Sequence, residues 1–147
     1  MEHLLPLIDH LIVSRDFPAR LTGEPDLEKA LKRMRADYGS QITAATLGHD
    51  GVLAWDGREF HYRPAYLVPV VDTTGAGDMF HAAYIYGLLA GWELDRQLDF
   101  ACAAAALNCT ASGARGGMRT VGVIEELMLT GKQYPAVYPA PSNTVFA

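Results

Sequence analysis

The chain is poor in the features that mark several functional classes. It has two cysteines, Cys102 and Cys109, both in one apolar stretch. About two helical turns separate them, too far for a disulfide within one helix. They read as small buried thiols of a reducing compartment, which points to the cytoplasm. Neither cysteine nor histidine recurs at a metal-binding spacing. Basic residues are outnumbered, with 12 Lys and Arg against 17 Asp and Glu and a net charge of -5. That balance excludes generic nucleic-acid binding, which needs a basic excess to neutralise phosphates. Long apolar runs are missing too: Gly87, Gly91 and Glu93 interrupt the most apolar segments, so no membrane span is expected. The start Met1-Glu2-His3-Leu4-Leu5-Pro6 has no basic n-region, which argues against a signal peptide. There is no internal repeat and no low-complexity block.

What is present suits one globular domain: 147 residues, half hydrophobic and a fifth charged. Asp9 to Ser14 reads as a strand after a brief helical lead, and Arg15 to Leu21 as a helical turn. Pro25-Asp26 opens a clearer helix. Its apolar residues Leu27, Ala30, Leu31, Met34 and Tyr38 recur at helical spacing, charges fill the other face, and Gly39 stops it. Gln41–Leu47, Val52–Trp55 and Glu59–Arg63 read as short strands separated by glycine turns, a meander. Pro64 and Pro69 confine the next extended piece to an edge. Two apolar helices follow, Gly77 to Ala90 and Leu94 to Thr110. Both are apolar nearly all round, so both are expected to be largely buried. A glycine loop from Ser112 to Gly117 leads to a last helix, Val121 to Thr130. Residues 1–131 read as the domain, and 132–147, with Pro135, Pro139 and Pro141, as an extended, weakly ordered tail. The alternation of strands and helices gives an α/β layered fold.

The segment Asp72-Thr73-Thr74-Gly75-Ala76-Gly77-Asp78 turns through two glycines into a helix, with an acid at its start. Backbone N–H groups at a helix start are unpaired, and the helix dipole adds positive potential there. Gly75, Ala76 and Gly77 therefore form a candidate anion cradle. Asp78 has two readings. It is a general base for a substrate hydroxyl, or an N-terminal acid that stabilises the dipole by about 0.3–1 kcal/mol. A cap alone needs neither Gly75 nor Gly77. The loop lacks the Gly-Lys-Ser/Thr of a Walker A motif and the third glycine of a dinucleotide fingerprint. His81, one turn on, reads as helix packing, and Trp55 and Trp92 as core or hairpin packing.

The longer string, followed by Phe80 and a helix of small residues, closely resembles the C-terminal signature of the ribokinase-like (PfkB) carbohydrate kinases. Thr46-Leu47-Gly48-His49-Asp50-Gly51 resembles the family's nucleotide-contacting turn. Phe100 to Leu107 resembles its adenine-side helix, and Val13 to Gly23 the strand and helix before its nucleotide half. The resemblance spans about residues 5 to 130 and implies a ribokinase-like layered sheet with flanking helices, C-terminal half only. It implies ATP-dependent phosphorylation of a sugar or sugar-like hydroxyl. Asp78 would be the base, and Gly75, Ala76 and Gly77 the anion hole. Thr46, Leu47, Gly48, His49, Asp50, Gly51 and Cys102 would contact nucleotide. Asp72, Thr74, Asn108, Ala111, Gly113 and Gly117 match positions around a monovalent cation, K+ being the candidate, and Mg2+ would arrive with ATP.

Three positions depart from the family pattern. Ser14-Arg15-Asp16-Phe17 stands where many relatives carry Asn-x-x-Glu, Cys102 where they often carry His or Asn, and Gly117 where some carry a hydroxyl residue. Family members are also about twice as long, and their sugar-binding residues lie in the half that this chain does not resemble. Two readings follow: a sugar kinase, or a catalytically incomplete nucleotide-binding or interaction fragment. An uncovered sheet edge and helix face would favour association, either as a homo-oligomer or with a complementing N-terminal half.

Overall fold

The structure, a computed structural model, describes residues 2–139. These form two compact units, one of residues 2–48, 52–62 and 138–139, the other of residues 49–51 and 63–137.

The first unit opens with a 3-10 turn over Glu2–Leu7, then β1 (His10–Ser14), α1 (Phe17–Thr22), α2 (Leu27–Tyr38), β2 (Ile42–Thr46), β3 (Val52–Trp55) and β4 (Phe60–Arg63). The strands form one sheet in the order β1-β2-β3-β4. β1 and β2 are parallel, with His10 opposite Ile42 and Ser14 opposite Thr46. That is the pairing a helical crossover allows. β2 and β3 are antiparallel, with Thr43 opposite Trp55, across the short turn at Gly48–Asp50. The sheet is therefore mixed, parallel where helices intervene and a meander where glycine turns do.

α2 forms where its periodicity predicts. Asp26 caps it by accepting the Lys29 N–H at 2.9 Å, and Gly39 ends it in the left-handed conformation with φ of 77°. Leu31 and Met34 face inward and join Leu11, Ala45, Leu53 and Tyr62 in one apolar cluster. The Thr43 hydroxyl donates to the Leu31 carbonyl at 2.9 Å, tying the helix to β2.

The second unit holds α3 (Ala76–Leu89), α4 (Leu94–Asn108) and α5 (Val121–Thr130). α3 packs on α4, and α4 on α5. The rings of Tyr86, Trp92 and Phe100 lie within 5.1–5.7 Å of one another. Gly87 makes room for them, since a Cβ there would lie 2.9 Å from the Trp92 ring. The extended piece after Pro64 is shorter than a strand. It makes one bridge, Tyr66 with Gln133, flanked by Leu67 N–H to the Lys132 carbonyl at 2.7 Å and Tyr134 N–H to the Ala65 carbonyl at 2.9 Å. Residues 132–134 are thus held in place rather than loose, while 140–147 lie outside the described residues.

One expectation is corrected. α4 is buried along most of its length, but α3 is not. Phe80, Ala83, Tyr84 and Gly87 turn inward, whereas Ile85, Tyr86, Leu88 and Leu89 are exposed, Leu89 by 83%. The reason is packing: α4 is the chief neighbour of α3 and covers one side of a helix that is apolar on all sides. No helix among the described residues is long and apolar enough to cross a membrane.

Replacing the cap with Asp26→Ala should destabilise the protein by about 1 kcal/mol, measured by urea denaturation, because the Lys29 N–H loses its partner.

Candidate active site

The loop before α3 is fastened to the C-terminal end of α4. The Val71 and Asp72 N–H groups both donate to the Cys109 carbonyl, at 2.8 and 3.2 Å. Asp72 folds back on its own turn. One carboxylate oxygen accepts the Thr74 N–H at 2.9 Å, and the other accepts the Gly113 N–H at 2.8 Å. These backbone N–H groups, Gly113 first, hold the Asp72 carboxyl below its ordinary pKa. Asn108, the last residue of α4, is fully buried. Its Nδ2 donates to the Ala114 carbonyl at 3.0 Å and to the Thr74 carbonyl at 3.3 Å. The 72–74 loop, the end of α4 and the glycine loop thus form one piece.

Close approach explains two glycines. Gly75 has φ of 77°, and a Cβ there would lie 2.5 Å from the Ala114 carbonyl oxygen. Both facts require glycine. Gly117 sits against the backbone of Leu107 and Asn108, which leaves no room for a side chain. Ala111 packs beside Gly116 in the same loop.

α3 then begins. The Ala76 N–H is tied to the Thr73 carbonyl at 3.2 Å, and the Met79 N–H to the Gly75 carbonyl at 2.9 Å. The N–H groups of Gly75, Gly77 and Asp78 have no hydrogen-bond partner among the described residues. Gly77 differs from Gly75. Its backbone is helical, and no atom beyond its chain neighbours and its own helix backbone lies within 4 Å of where a Cβ would be. Glycine in a helix costs up to about 1 kcal/mol relative to alanine, and no protein contact requires it here. Asp78 is exposed, and its carboxylate makes no hydrogen bond or ion pair among the described residues. A free acid, free backbone donors and an open approach therefore meet at one helix start. His81 is exposed rather than packed. Its Nδ1 lies 2.7 Å from the Gly77 carbonyl, an acceptor only, so Nδ1 carries the proton.

Among the described residues three buried side-chain atoms have no hydrogen-bond partner, Ser40 Oγ, Gln97 Oε1 and Asn108 Oδ1, and the last lies at this site, on a fully buried side chain. An unsatisfied buried acceptor costs about 1–3 kcal/mol. An orphaned carbonyl-type oxygen of this kind is chemically suited to a cation.

The model of the pfkB family carbohydrate kinases matches residues 1–121. The chain belongs to that family. It is 42% identical over 83 residues to the ribokinase of Bacillus subtilis, covering 56% of this chain and 28% of that protein. It is 33% identical over 108 residues to a 5-dehydro-2-deoxygluconokinase of Clostridium perfringens, covering 72% of this chain and 31% of the relative. A putative ribokinase II from E. coli, solved in complex with ATP and Mg2+, superposes with a TM-score of 0.81 at 28% identity, covering 86% of this chain and 41% of that one. Arabidopsis thaliana ribokinase, complexed with ribose and ATP, gives 0.79 at 30% identity, covering 87% and 43%. The fold is therefore ribokinase-like α/β, and the chain spans less than half the length of these relatives.

Within this family frame, the remaining candidates fall as follows. Thr46 ends β2, its hydroxyl 3.4 Å from the Val13 carbonyl. The Leu47 carbonyl accepts the Arg15 guanidinium at 2.5 Å. Gly48–Asp50 form a 3-10 turn, and the exposed His49 ring lies 3.3 Å from the Asp50 carboxylate and 5.7 Å, centroid to centroid, from the Tyr134 ring. Gly51, with φ of 92°, lies against the Arg63 backbone. Cys102 is buried with its thiol 3.9 Å from the Arg63 carbonyl, and burial pushes its pKa up. Asp16 starts α1 without a side-chain cap bond. Two contributors escape sequence reading. Arg15 and Tyr134 reach the 46–51 turn only through tertiary contacts, and neither carries a motif.

Two glycine substitutions should separate fold from ligand. Gly75→Ala should lose about 1–3 kcal/mol in urea denaturation, from positive φ and the Ala114 clash. Gly77→Ala should be as stable as the parent or up to about 1 kcal/mol more so. The lowered pKa of Asp72 also sets a pH dependence. A carboxyl with a depressed folded pKa contributes stability above its unfolded pKa near 4 and loses it as pH falls through the folded value. Thermal denaturation from pH 7 to pH 2 should therefore show a shallower acid limb in Asp72→Asn than in the parent.

Proposed function

We propose that the chain carries the nucleotide-handling and phosphoryl-handling side of an ATP-dependent kinase for a sugar or sugar-like hydroxyl, with residues 1–131 as its kinase portion. The observation that carries this reading is the start of α3. Among the described residues, the Asp78 carboxylate has no partner and stands beside N–H groups of Gly75, Gly77 and Asp78 that have none either, and Gly77 leaves the approach open.

The chemistry follows from that arrangement. Asp78 accepts the proton of the acceptor hydroxyl as its oxygen attacks the terminal phosphorus. The bond from phosphorus to the leaving diphosphate breaks as the new P–O bond forms, giving ADP and a sugar phosphate. The backbone N–H groups of the 75–78 turn stabilise negative charge on the transferring group, aided by the α3 dipole. Mg2+ held by the phosphates and water supplies further charge neutralisation. Thr46 to Gly51 form the nucleotide turn, braced by Arg15 at the Leu47 carbonyl. Cys102 acts from within the packing of α4, since it is buried. Asp72, Thr74, Asn108, Ala111, Gly113 and Gly117 would hold a K+-sized cation, with Asn108 Oδ1 as an acceptor it would satisfy. The ATP and Mg2+ complex of a structural neighbour supports this choice of nucleotide and metal. We assign the reaction to the cytoplasm, where ATP is available and Cys102 and Cys109 stay reduced.

A second reading is favoured by one specific observation. The outer face of α3 is apolar and exposed, and the chain spans 41% of that neighbour's length. In this reading the chain binds nucleotide but turns over only when a complementing half or a second copy covers that face.

An ATP-dependent phosphorylation assay across pentoses, hexoses and nucleosides tests both. Turnover that falls at least about 100-fold in Asp78→Asn, with nucleotide affinity retained, is expected of the kinase. Gly77→Val should lose nucleotide affinity while still folding. Nucleotide binding without turnover in the parent chain selects the second reading. Affinity untouched by Gly77→Val removes both.

A further inference from the structure

The turn between β3 and β4 gathers three metal-ligating side chains that the kinase reading does not use. Asp56, Glu59 and His61 each present a donor atom, and these atoms all lie within 4.8 Å of one another. The turn itself builds the cluster. One Asp56 carboxylate oxygen, Oδ1, accepts the Arg58 and Glu59 N–H groups at 2.7 and 2.8 Å. That leaves Oδ2 facing the His61 Nε2 at 3.2 Å. His61 is 9% exposed, so its imidazole is fixed in place rather than sampling solvent. Glu59 is exposed, and its carboxylate has no partner among the described residues.

The donor set is chemically informative. Two carboxylates beside one imidazole form a mixed nitrogen and oxygen site, which suits a borderline divalent ion better than Mg2+ or Ca2+, whose shells are oxygen. Two ligands about 2.1 Å from one tetrahedral ion lie about 3.4 Å apart, close to the Asp56–His61 separation. Two neighbouring basic side chains, Arg35 and Lys32, are engaged elsewhere. Arg35 lies over Gly57 and its Nε donates to the Gln41 carbonyl at 3.3 Å. The Lys32 ammonium sits over the Trp55 and Phe60 rings, 4.7 and 5.2 Å from their centroids. Two adjacent carboxylates with one imidazole leave net negative charge for a cation to offset.

We propose that the β3–β4 turn binds a divalent transition ion of the zinc class through Asp56 Oδ2, the Glu59 carboxylate and His61 Nε2, with solvent completing the shell. The three ligands span six residues of one hairpin, so binding staples β3 to β4. The site is independent of the phosphoryl-transfer reading and stands or falls without it.

Isothermal titration of the full chain with zinc chloride tests this, alongside magnesium chloride. Saturable zinc binding at one ion per chain is expected, with no saturable magnesium heat. Glu59→Gln, at an exposed position, should leave the fold intact and weaken zinc binding by at least about tenfold, the lower bound for even an indirect partner of a metal. Because His61 is buried, it is followed in the parent rather than replaced. Its imidazole 15N resonances should shift on zinc addition and not on magnesium addition. The proposal is overturned by the absence of saturable zinc binding. It is equally overturned by zinc binding that Glu59→Gln leaves unchanged, or by unmoved His61 resonances, since His3, His10, His49 or His81 would then be the ligand.

Discussion

The candidate site depends on one buried side chain that ties two loops together. Asn108 ends α4 in full burial and donates to the carbonyls of Thr74 and Ala114. Those carbonyls belong to the two loops that meet at Gly75, the residue from which α3 starts. Remove the amide and each loop has a freed backbone acceptor at the point where close packing leaves no slack, since Gly75 lies against Ala114 and Gly117 against Asn108. An amide suits this position where a charged group would not. It donates to carbonyls on one side and offers a neutral acceptor, Oδ1, on the other. Asp72 does the complementary job from the opposite strand of the loop, accepting N–H groups from Thr74 and Gly113. Donor and acceptor side chains thus cross-brace two loops whose backbones could not satisfy each other directly.

That bracing explains why the two glycines of the turn differ. Gly75 is a structural necessity, fixed by positive φ and by contact with Ala114. Gly77 has neither constraint, so its lack of a side chain is a cost to the helix with no return inside the protein. Asp78 alone would be an ordinary N-terminal acid, favourable to the dipole and unremarkable in chemistry. The proposed general-base role rests on its position beside Gly77 and beside N–H groups that have no partner among the described residues.

Much of this was legible in the sequence, for reasons that can be named. α2 was readable because its apolar spacing, its cap Asp26 and its stop Gly39 agree with one another. The loop and helix at 72–89 were readable because turn chemistry and an apolar run coincide at Gly75, whereas the strand expected before the loop is absent: that segment makes only the single Tyr66–Gln133 bridge. Asn108 was singled out by family resemblance, but its role as a clamp was not visible, because its partners lie 34 and 6 residues away. Arg15 at the Leu47 carbonyl and Tyr134 beside His49 were invisible for the same reason: each acts through a tertiary contact with no local pattern. Burial of α3 was misjudged because composition records how apolar a helix is, not how many neighbours it has. α4 and α3 look alike by that measure, yet α4 packs against two helices and α3 chiefly against one.

The exposure of α3 bears on chemistry as well as on packing. A carboxylate acts as a strong base toward a hydroxyl when water is kept from competing for it and from attacking the phosphoryl group instead. Asp78 has open solvent around it, and the same helix presents Ile85, Leu88 and Leu89 to solvent further along. One covering surface laid along α3 would therefore do two things at once. It would bury apolar area that is costly to leave wet, at about 25 cal/mol per Å2, and it would dry the end of the helix where the proposed proton transfer would take place. Binding energy from the apolar part of the helix would then sustain desolvation at its start. Under the proposed kinase reading, nucleotide recognition would need only the braced turns, whereas turnover would need the surface too. Nucleotide affinity and catalytic rate would for that reason be separable.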